Sequence, residues 1–416
     1  MEERKEYRIG ELYNVQNGLS KGGEFFGTGY PFVSFKTVFN NYFLPVSILD
    51  LAETSEVDRI KYSVKRGDIL ITRTSETAEE LGMSCVALSD MPNATYNGFC
   101  KRLRPCHNDI VLPEYIGYLF RSKAIRSIFN SLSSMTTRAS LRNDDLLGIK
   151  LSLPTINEQK KVASILRTID TKIELNRRIN DNLEQQAQTL FKSWLVDFDP
   201  FKNGKFVESE MGMIPEGWKV ISLQEYCQEI TRGNIPTYVE KSNRPILNQK
   251  VNKGVSLEKQ YYKYNSENVE VSISKMAHYG DVLLNSLGQG TLGRVHLYKE
   301  KLGNVIIDQF ITILRTNLFV KSAYLSYTLN RPEYQTIIEG NVTGSTGMWV
   351  LTINNVRNIK IIVPKESCFL ELAPIINSIY QAISNNTAEM EQLCTLRDCI
   401  LPHLMSGELK INDLNC

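Results

Sequence analysis

The chain has 416 residues, which is enough for about two or three domains with a large buried core. Its composition is 42% hydrophobic and 23% charged, which is typical of a globular protein and excludes a disordered one. The 48 basic and 46 acidic residues give a formal net charge of +2, which is less than a dedicated nucleic-acid coat protein carries, although one face of a balanced protein can still bind DNA.

The sequence has no feature of a membrane or secreted protein. No run approaches the roughly 18 apolar residues of a membrane-spanning helix. The 8 cysteines lack the paired spacing of a zinc site. We therefore expect a cytoplasmic protein with free thiols and no membrane partner.

Residues 1–153 are predicted to form a first globular unit. Strand-like runs separated by turns begin at Tyr30, Arg66, Met83 and Ile149, and a helical stretch covers residues 112–132. Helices and strands are mixed without regular alternation, so we expect an α+β fold.

Residues 154–200 are predicted to form one long helix. Pro154 and Pro200 mark its two limits, and Thr155 with Glu158 forms a capping-box pattern at its start. Its apolar stripe follows the alternating spacing of four and three that is typical of a coiled coil. The predicted seam consists of Val162, Leu166, Ile169, Ile173, Asn176, Asn180, Leu183, Ala187, Leu190 and Trp194.

The remaining chain repeats this plan. Residues 201–217 are polar with glycine and proline, as expected for a linker, and residues 218–363 repeat the order of the first unit, including Gly280-Asp281 opposite Gly67-Asp68. Residues 364–416 are predicted to form a second long helix. Each position of its seam lies 210 residues after one of the first: Leu372, Ile376, Ile379, Ile383, Asn386, Met390, Leu393, Arg397, Ile400 and Leu404.

The repeat predicts a pseudo-two-fold molecule in which the two long helices pair antiparallel. Asn180 and Asn386 would then lie near the pseudo-axis, where polar seam residues commonly fix the register. Either helix alone would also be compatible with an ordinary amphipathic core helix. The identical phase of the two seams favours the pair.

No catalytic motif is present. The sequence lacks GxxxxGK[ST], HExxH and GxSxG, and the run from Asp197 to Phe201 is interpreted as the end of a helix. The four histidines are scattered, and a lone histidine is more often structural than catalytic. The sequence gives no support for an enzyme acting alone.

Both units carry polar and basic residues at matched places. Arg and Lys suit guanine edges, Asn and Gln suit adenine, and Ser and Thr suit phosphate oxygens. A solvated loop would explain any one of these residues, whereas the matched placement favours DNA binding. The candidates in the first unit are Lys21, Ser34, Lys36, Arg73, Thr74, Ser75, Thr136, Thr137 and Arg138. Those in the second are Arg232, Asn234, Asn248, Gln249, Lys250, Asn285, Ser286, Gln289, Arg294, Ser345 and Thr346.

Several segments together resemble the specificity subunits of type I restriction–modification systems. They are LPTINEQ from Leu153, LFKSWLVDFDP from Leu190, SEMGMIPEGW from Ser209, the GDIL and GDVL segments, and LMSGEL from Leu404. The resemblance implies two target recognition domains, each reading one half of a split, asymmetric site in double-stranded DNA. It also implies that the helices set the unread spacer and dock two methyltransferase subunits, which motor-nuclease (restriction) subunits join.

On this resemblance the chain is a non-catalytic recognition subunit without a cofactor of its own. Adenine-N6 methylation and ATP-dependent cleavage would be carried out by the partners, which would bind S-adenosylmethionine, ATP and Mg²⁺. The second helix departs from the pattern, because Cys368-Phe369 stands opposite Glu158-Gln159 and Arg397 occupies a seam position. That departure puts its share in docking in doubt.

Three alternatives stay open at this point. The chain could serve a related system in which methylase and nuclease are fused in one partner. It could be a coiled-coil scaffold that binds no DNA. A stand-alone methyltransferase would need an S-adenosylmethionine motif, and the sequence shows none.

Overall fold

A computed structural model describes residues 4–75, 80–107, 109–132, 134–135, 139–288, 290–300, 305–344 and 349–409. The chain divides into two compact units. Unit 1 contains residues 1–174 and 390–416, and unit 2 contains residues 175–389. Each unit therefore combines a globular head with a part of both long helices.

Head 1, the part of unit 1 before the first long helix, mixes short strands and short helices. Its strands are β1 (Lys5–Arg8), β2 (Tyr13–Asn17), β3 (Phe26–Val33), β4 (Leu51–Ala52), β5 (Ile69–Thr72), β6 (Thr74–Ser75), β7 (Ser84–Val86), β8 (Thr95–Tyr96), β9 (Cys100–Pro105), β10 (Ser134–Met135), β11 (Ala139–Ser140) and β12 (Lys150–Leu153). Its helices are α1 (Ile9–Leu12), α2 (Phe35–Asn40), α3 (Glu56–Lys61), α4 (Pro113–Arg121), α5 (Lys123–Ser131) and α6 (Asn143–Gly148).

An antiparallel sheet in the order β2-β9-β5-β7 forms the centre of head 1. Ile69 faces Leu103 across β5 and β9, and both side chains are fully buried. Further sheets have the orders β4-β3-β8, β10-β11-β6 and β1-β12. The pair of β3 and β8 is parallel.

Head 2 is the part of unit 2 between Lys219 and Val363. Its strands are β15 (Lys219–Ser222), β16 (Glu229–Arg232), β17 (Tyr238–Val239), β18 (Pro245–Leu247), β19 (Lys263–Asn265), β20 (Val282–Asn285), β21 (Val295–Leu297), β22 (Ile306–Ile307), β23 (Ile311–Arg315) and β24 (Lys360–Val363). Its helices are α8 (Leu223–Tyr226), α9 (Phe319–Leu329), α10 (Pro332–Gly340) and α11 (Ile353–Asn358).

The central sheet of head 2 has the order β16-β23-β20-β21, which repeats that of head 1 element by element. Val282 faces Leu314 as Ile69 faces Leu103, β15 pairs with β24 as β1 pairs with β12, and β18 pairs in parallel with β22. The prediction of an α+β fold with an internal repeat is confirmed.

The segment predicted as a linker contains a hairpin, formed by β13 (Phe206–Ser209) and β14 (Gly212–Pro215). Three aromatic rings beside it pack edge to face. Trp218 lies 5.2 Å from Phe198 and 5.3 Å from Phe201 between ring centroids. Such pairs add stability beyond the burial of apolar area, which gives a physical reason for the aromatic residues around this segment.

The two long helices are α7 (Ile156–Leu195) and α12 (Glu366–Ser406). Within unit 2, Asn180 contacts Asn386, and Tyr380 donates a hydrogen bond of 3.0 Å to Glu184. From Asn180 to Glu184 the residue number rises along α7, while that of the contacting residue on α12 falls from 386 to 380. The two helices therefore pair antiparallel. The predicted contact between the two asparagines is confirmed.

The portions of the same helices in unit 1 also pair antiparallel. Arg397, which departs from the apolar seam pattern, donates to Asp170 across the helix pair at 3.0 Å. Both side chains are less than a fifth exposed, so the pair satisfies the charge that Arg397 places at a seam position. Among the residues that the structure describes, no helix is long and apolar enough to cross a membrane.

Candidate nucleic-acid interface

The GDIL segment of head 1 is a buried support for the loops. Gly67 has a φ of +87°, which favours glycine, and it delivers Asp68 into the interior. Arg104 donates two hydrogen bonds to the Asp68 carboxylate, at 2.8 and 2.6 Å, and Lys65 N–H adds a third of 2.7 Å. The hydrogen bonds that Arg104 donates to Asp68 raise the pKa of Arg104. A bidentate pair of this kind fixes β5 against β9 in one geometry.

The GDVL segment does the same in head 2. Gly280 has a φ of +92°, and Arg315 donates to the buried Asp281 at 2.8 and 3.1 Å. The N–H of His278 donates to the same carboxylate at 2.8 Å. The recurrence of the two segments is therefore structural, and it brings equivalent loops to the same edge of each central sheet.

At that edge in head 1, Arg73 follows β5 directly. Its N–H donates to Phe99 O at 2.9 Å and its carbonyl accepts from Leu141 N–H at 3.0 Å. Within the described part of the chain, no hydrogen-bond partner reaches the buried Nε of Arg73 or the buried Oγ1 of Thr74. These polar atoms are compatible with a ligand approaching this edge.

A second cation lies beside Arg73. Lys101 is only 4% exposed, and its Nζ donates to Asn143 Oδ1. Burial lowers the pKa of Lys101, and the neighbouring Arg73 lowers it further. The sequence gives no sign of this pair, because Lys101 lies inside β9 and Asn143 opens α6, so neither residue has the sequence pattern of a polar loop.

The equivalent position in head 2 has different chemistry. Ser286 N–H donates to Phe310 O and its carbonyl accepts from Leu351 N–H, both at 2.9 Å, as Arg73 bonds to Phe99 and Leu141 in head 1. Its hydroxyl lies 2.6 Å from that of Thr312, and both residues are fully buried. Two cations at the edge of head 1 thus correspond to two hydroxyls in head 2.

A second matched loop follows β3 in head 1 and β18 in head 2. Ser34 Oγ accepts from Thr37 N–H at 3.2 Å and caps α2. Asn248 Oδ1 accepts from Lys250 N–H at 2.8 Å and closes a turn at the matched place. Lys36 and Lys250, each two residues after the accepting side chain, are exposed. These bonds hold the backbone, while the lysine side chains can reach a phosphate.

The remaining basic candidates hold loops in place. Lys21 pairs with Asp58 at 3.2 Å, and Arg232 donates to Leu351 O. Arg294 donates to Asn252 O at 3.3 Å and to Gly290 O at 2.8 Å. Each bond uses only part of the donors of a cation, so these side chains keep donors for a further contact.

Among the predicted amides, Asn234 donates to Ile235 O at 2.8 Å and is partly exposed, as is Gln249. Asn285 is fully buried and donates to Gln249 O and Thr291 O, each at 3.1 Å. The structure therefore places three predicted contact residues in the interior, where they shape the loops instead of facing a ligand: Asn248, Asn285 and Ser286.

Some predicted positions lie outside the described residues, namely Thr136, Thr137, Arg138, Gln289, Ser345 and Thr346. Ser75 belongs to β6, whose backbone pairs with β11.

The predicted seam residues line the helix pair. Several are buried in the cores of their own units: Val162, Leu166, Ile169, Ile173, Leu372, Ile376 and Ile383. Others are partly buried: Asn180, Leu183, Leu190, Ile379, Asn386, Leu393 and Ile400. At the start of α7, Glu158 N–H donates to Thr155 Oγ1 at 3.4 Å. The buried Gln159 accepts from Leu112 N–H and donates to Ile110 O, each at 2.9 Å, so the LPTINEQ segment locks the helix to head 1.

Comparisons with known proteins agree with this architecture. A family profile described as "Type I restriction modification DNA specificity domain" matches residues 1–185. The type I restriction enzyme MjaIX specificity subunit of Methanocaldococcus jannaschii is 26% identical over 98% of this chain and 93% of its own length. The HindI specificity subunit of Haemophilus influenzae is 24% identical over 98% of this chain and 100% of its own.

A solved structure has the same fold. The crystal structure of the type I restriction-modification S subunit from M. genitalium aligns with a TM-score of 0.52 at 14% identity, and the alignment covers 97% of this chain and 96% of that one. At this identity the likeness speaks for the fold alone.

Proposed function

Because this chain is a specificity subunit of the type I restriction–modification family, we propose that each of its heads reads one half of a split, asymmetric site in double-stranded DNA. The supporting observation is the contrast beneath one equivalent loop. Head 1 places the cations Arg73 and Lys101 there, and head 2 places the buried hydroxyls of Ser286 and Thr312. These side chains set the charge and shape of the edge that the loops present, and the same framework with different chemistry supports two different half-sites.

The contacts divide by chemistry. Lys36 and Lys250 are exposed cations on capped loops and are suited to phosphate oxygens, which set position and carry no sequence information. Arg73 directly follows β5 at the edge of the central sheet, and its guanidinium is suited to a guanine edge. Lys21, Arg232 and Arg294 are proposed as secondary contacts because each keeps donors that its own contacts do not use. In this division the lysines supply affinity, and Arg73 supplies specificity.

The two long helices are proposed to set the unread spacer. At 1.5 Å per residue, the 40 residues of α7 and the 41 of α12 each extend about 60 Å. Half-sites on one face of B-DNA lie roughly 34–36 Å apart, which is within the reach of such helices. Inserting one or two helical turns into both helices should lengthen the spacer and leave both half-sites unchanged. An unchanged spacer would reject this role.

The outer faces of the helices are proposed to dock two methyltransferase subunits. Leu175 and Ile179 on α7 are 50% and 45% exposed, and Leu396 on α12 is 48% exposed. Leu175 and Ile179 are four residues apart and therefore neighbours on the helix surface, and contiguous exposed apolar patches mark protein interfaces. Methylation of adenine N6 and ATP-dependent cleavage would be performed by these subunits and by restriction subunits, which would supply S-adenosylmethionine, ATP and Mg²⁺ sites.

The proposal is tested by measuring DNA binding of the complex assembled with its own modification subunits at several salt concentrations. Phosphate contacts predict an affinity that falls steeply with salt. No binding in the assembled complex would favour a scaffold. A single co-assembling partner that carries both methylase and nuclease would identify the fused system without changing the role of this chain.

A further inference from the structure

The edge of the central sheet in head 1 is covered by residues 41–44, which we call the aromatic clip. Val86 N–H in β7 donates to Tyr42 O at 3.0 Å, and Leu44 N–H donates to Val86 O at 2.9 Å. The clip thus runs parallel to β7 and completes its outer main-chain bonds. Phe43 lies at the centre of this short pairing.

The two rings of the clip fill the space between β7 and α4. Phe43 packs edge to face on Tyr118 at 5.2 Å between centroids, and Tyr42 packs on the same ring at 5.6 Å. Gly117 makes room for Phe43, since a Cβ there would lie 2.4 Å from the ring. Arg121 donates to the carbonyls of Val38, Phe39 and Asn41 and so holds the clip down.

The equivalent strand in head 2 is β21, packed against α9. Asn330 Nδ2 donates to Val295 O at 3.1 Å, just as Arg121 Nε donates to Ser84 O at 2.6 Å. Arg121 bonds both β7 and residues 38–41, whereas the shorter side chain of Asn330 bonds β21 and makes no equivalent contact among the described residues. Gly254 and Val255 line this side of head 2, and neither has a ring.

A cavity of about 390 Å³ occupies the place of the two rings. Its walls include Phe191 from α7, Leu297 from β21, and Ser326 and Tyr327 from α9. The space is partly open to solvent, since its lining includes Val255, which is 72% exposed, so a segment of another protein can reach it. All of its lining residues belong to unit 2.

The edge of β21 is oriented to accept a strand. Tyr298 N–H donates to Asp281 O and its carbonyl accepts from Gly280 N–H, both at 2.8 Å, so its backbone faces β20. Because the direction alternates along an antiparallel strand, the N–H and C=O of Leu297 face the cavity. The equivalent groups of Val86 are the ones that bond the clip.

We propose that this cavity binds an aromatic residue from an extended segment of a partner protein, which would pair with β21 as the aromatic clip pairs with β7. Main-chain bonds to a sheet edge supply affinity, and a pocket for one side chain supplies specificity. The ion pair of Lys299 with Glu184, at 2.9 Å, and the hydroxyl of Tyr380 add polar groups to the lining. These groups suit a tyrosine hydroxyl at the end of the ring.

The test uses the full chain and a fluorescent peptide with the sequence of residues 38–45, VFNNYFLP, which contains the clip. We expect saturable 1:1 binding by fluorescence anisotropy. Filling the cavity by Ser326→Phe should weaken binding at least tenfold, whereas the matched control Ser326→Ala should bind as the wild type does. A peptide in which both Tyr and Phe of the clip are replaced by Ala should not bind, and this comparison leaves the protein unaltered.

Absence of saturation at millimolar peptide, or equal binding to Ser326→Phe, would overturn the proposal. A parallel titration with p-cresol, followed by saturation-transfer NMR, distinguishes a protein segment from a small aromatic ligand. Binding of p-cresol that Ser326→Phe abolishes, without any binding of the peptide, would assign the cavity to a small aromatic ligand and reject a protein segment.

Discussion

Asn386 donates a hydrogen bond of 2.9 Å to Asn180 across the two long helices, within a seam that is otherwise largely apolar. Asn180 in turn donates to Thr387 Oγ1 at 3.3 Å and to Ile383 O at 3.4 Å. A polar pair at a seam costs stability, but any slip of one helix along the other would leave both amides unpaired. The pair therefore fixes the register of the helices in unit 2.

We expect Asn386→Leu to lower the free energy of unfolding by about 1–2 kcal/mol, because Asn180 would lose its acceptor role in a partly buried site. The double variant Asn180→Leu/Asn386→Leu should recover most of that loss, since both polar groups are then removed. Chemical denaturation in a double-mutant cycle measures the coupling. The exposed neighbour Asn385 is the control, and Asn385→Leu should change stability by less than about 0.5 kcal/mol. Strictly additive effects of the two seam substitutions would contradict the coupling.

The long helices and their pairing are the part of the fold that the sequence predicts best. The heptad spacing and the shift of 210 residues depend on apolar side chains that must face a partner, and such a pattern is visible without coordinates. The end of α7 was less visible. The helix stops at Leu195, before the predicted limit at Pro200, and Phe198 has a left-handed φ of 54° where it turns toward Trp218. That turn packs on a ring 20 residues further along the chain, which the local sequence does not reveal.

The buried ion pairs under the loops should dominate the stability of the heads. Asp68→Ala is expected to lower the free energy of unfolding by about 3–5 kcal/mol, because it removes the carboxylate that pairs with Arg104. Asp281→Ala should cost somewhat less, because Arg315 keeps its ion pair with Glu229 at 2.8 Å. Asp68 is 0% and Asp281 2% exposed. Glu6, paired with Lys150 at 3.2 Å and 64% exposed, is the matched control, and Glu6→Ala should cost less than about 1 kcal/mol. Equal losses in urea denaturation for Asp281→Ala and Glu6→Ala would contradict this assignment.

His296 gives unit 2 a pH-dependent stability. Burial lowers the pKa of His296 to about 4, the charge of Lys299 lowers it as well, and the bond to Gly254 O only partly offsets them. The unfolded state, with a pKa of about 6.5, binds the proton more readily, so stability is present above pH 6.5 and is lost as the pH falls toward 4. The loss should reach roughly 2–3 kcal/mol at pH 4.5.

The substitution His296→Gln isolates this contribution. The difference in unfolding free energy between the wild type and His296→Gln should shrink by that amount between pH 7.5 and pH 4.5, because glutamine does not titrate. Subtracting the two curves removes the pH dependence of the carboxylates that both proteins share. A difference that stays constant between the two pH values would show that His296 does not carry the effect.

Lys36 and Lys250 are expected to contact phosphates. In the assembled complex, each Lys→Ala substitution should weaken binding to specific and non-specific DNA alike and reduce the slope of log affinity against log salt by about 1. Lys150 on β12 is a control of equal charge, since it is 64% exposed and pairs with Glu6 of β1. Lys150→Ala should leave the slope unchanged. A loss confined to one DNA sequence would instead identify a base contact.

The interface was harder to predict than the helices, for physical reasons. Asn285 ends β20 and Ser286 follows it, where a polar side chain can face solvent or bond inward, and the sequence does not distinguish these cases. Lys101 was missed because its neighbours in β9 are apolar or structural, and only the fold brings it beside Arg73. The sequence does reveal that the segments of the two heads occur in the same order, and Arg73 and Ser286 lie at equivalent places in that order.

The central claim is that the two heads read separate halves of one site, and methylome sequencing tests it most directly. A host carrying the complete system should show a split, asymmetric methylated motif. Replacing residues 218–363 by the corresponding residues of another specificity subunit should change one half of that motif and leave the other half as it was. A continuous motif, or a change in both halves, would contradict the account.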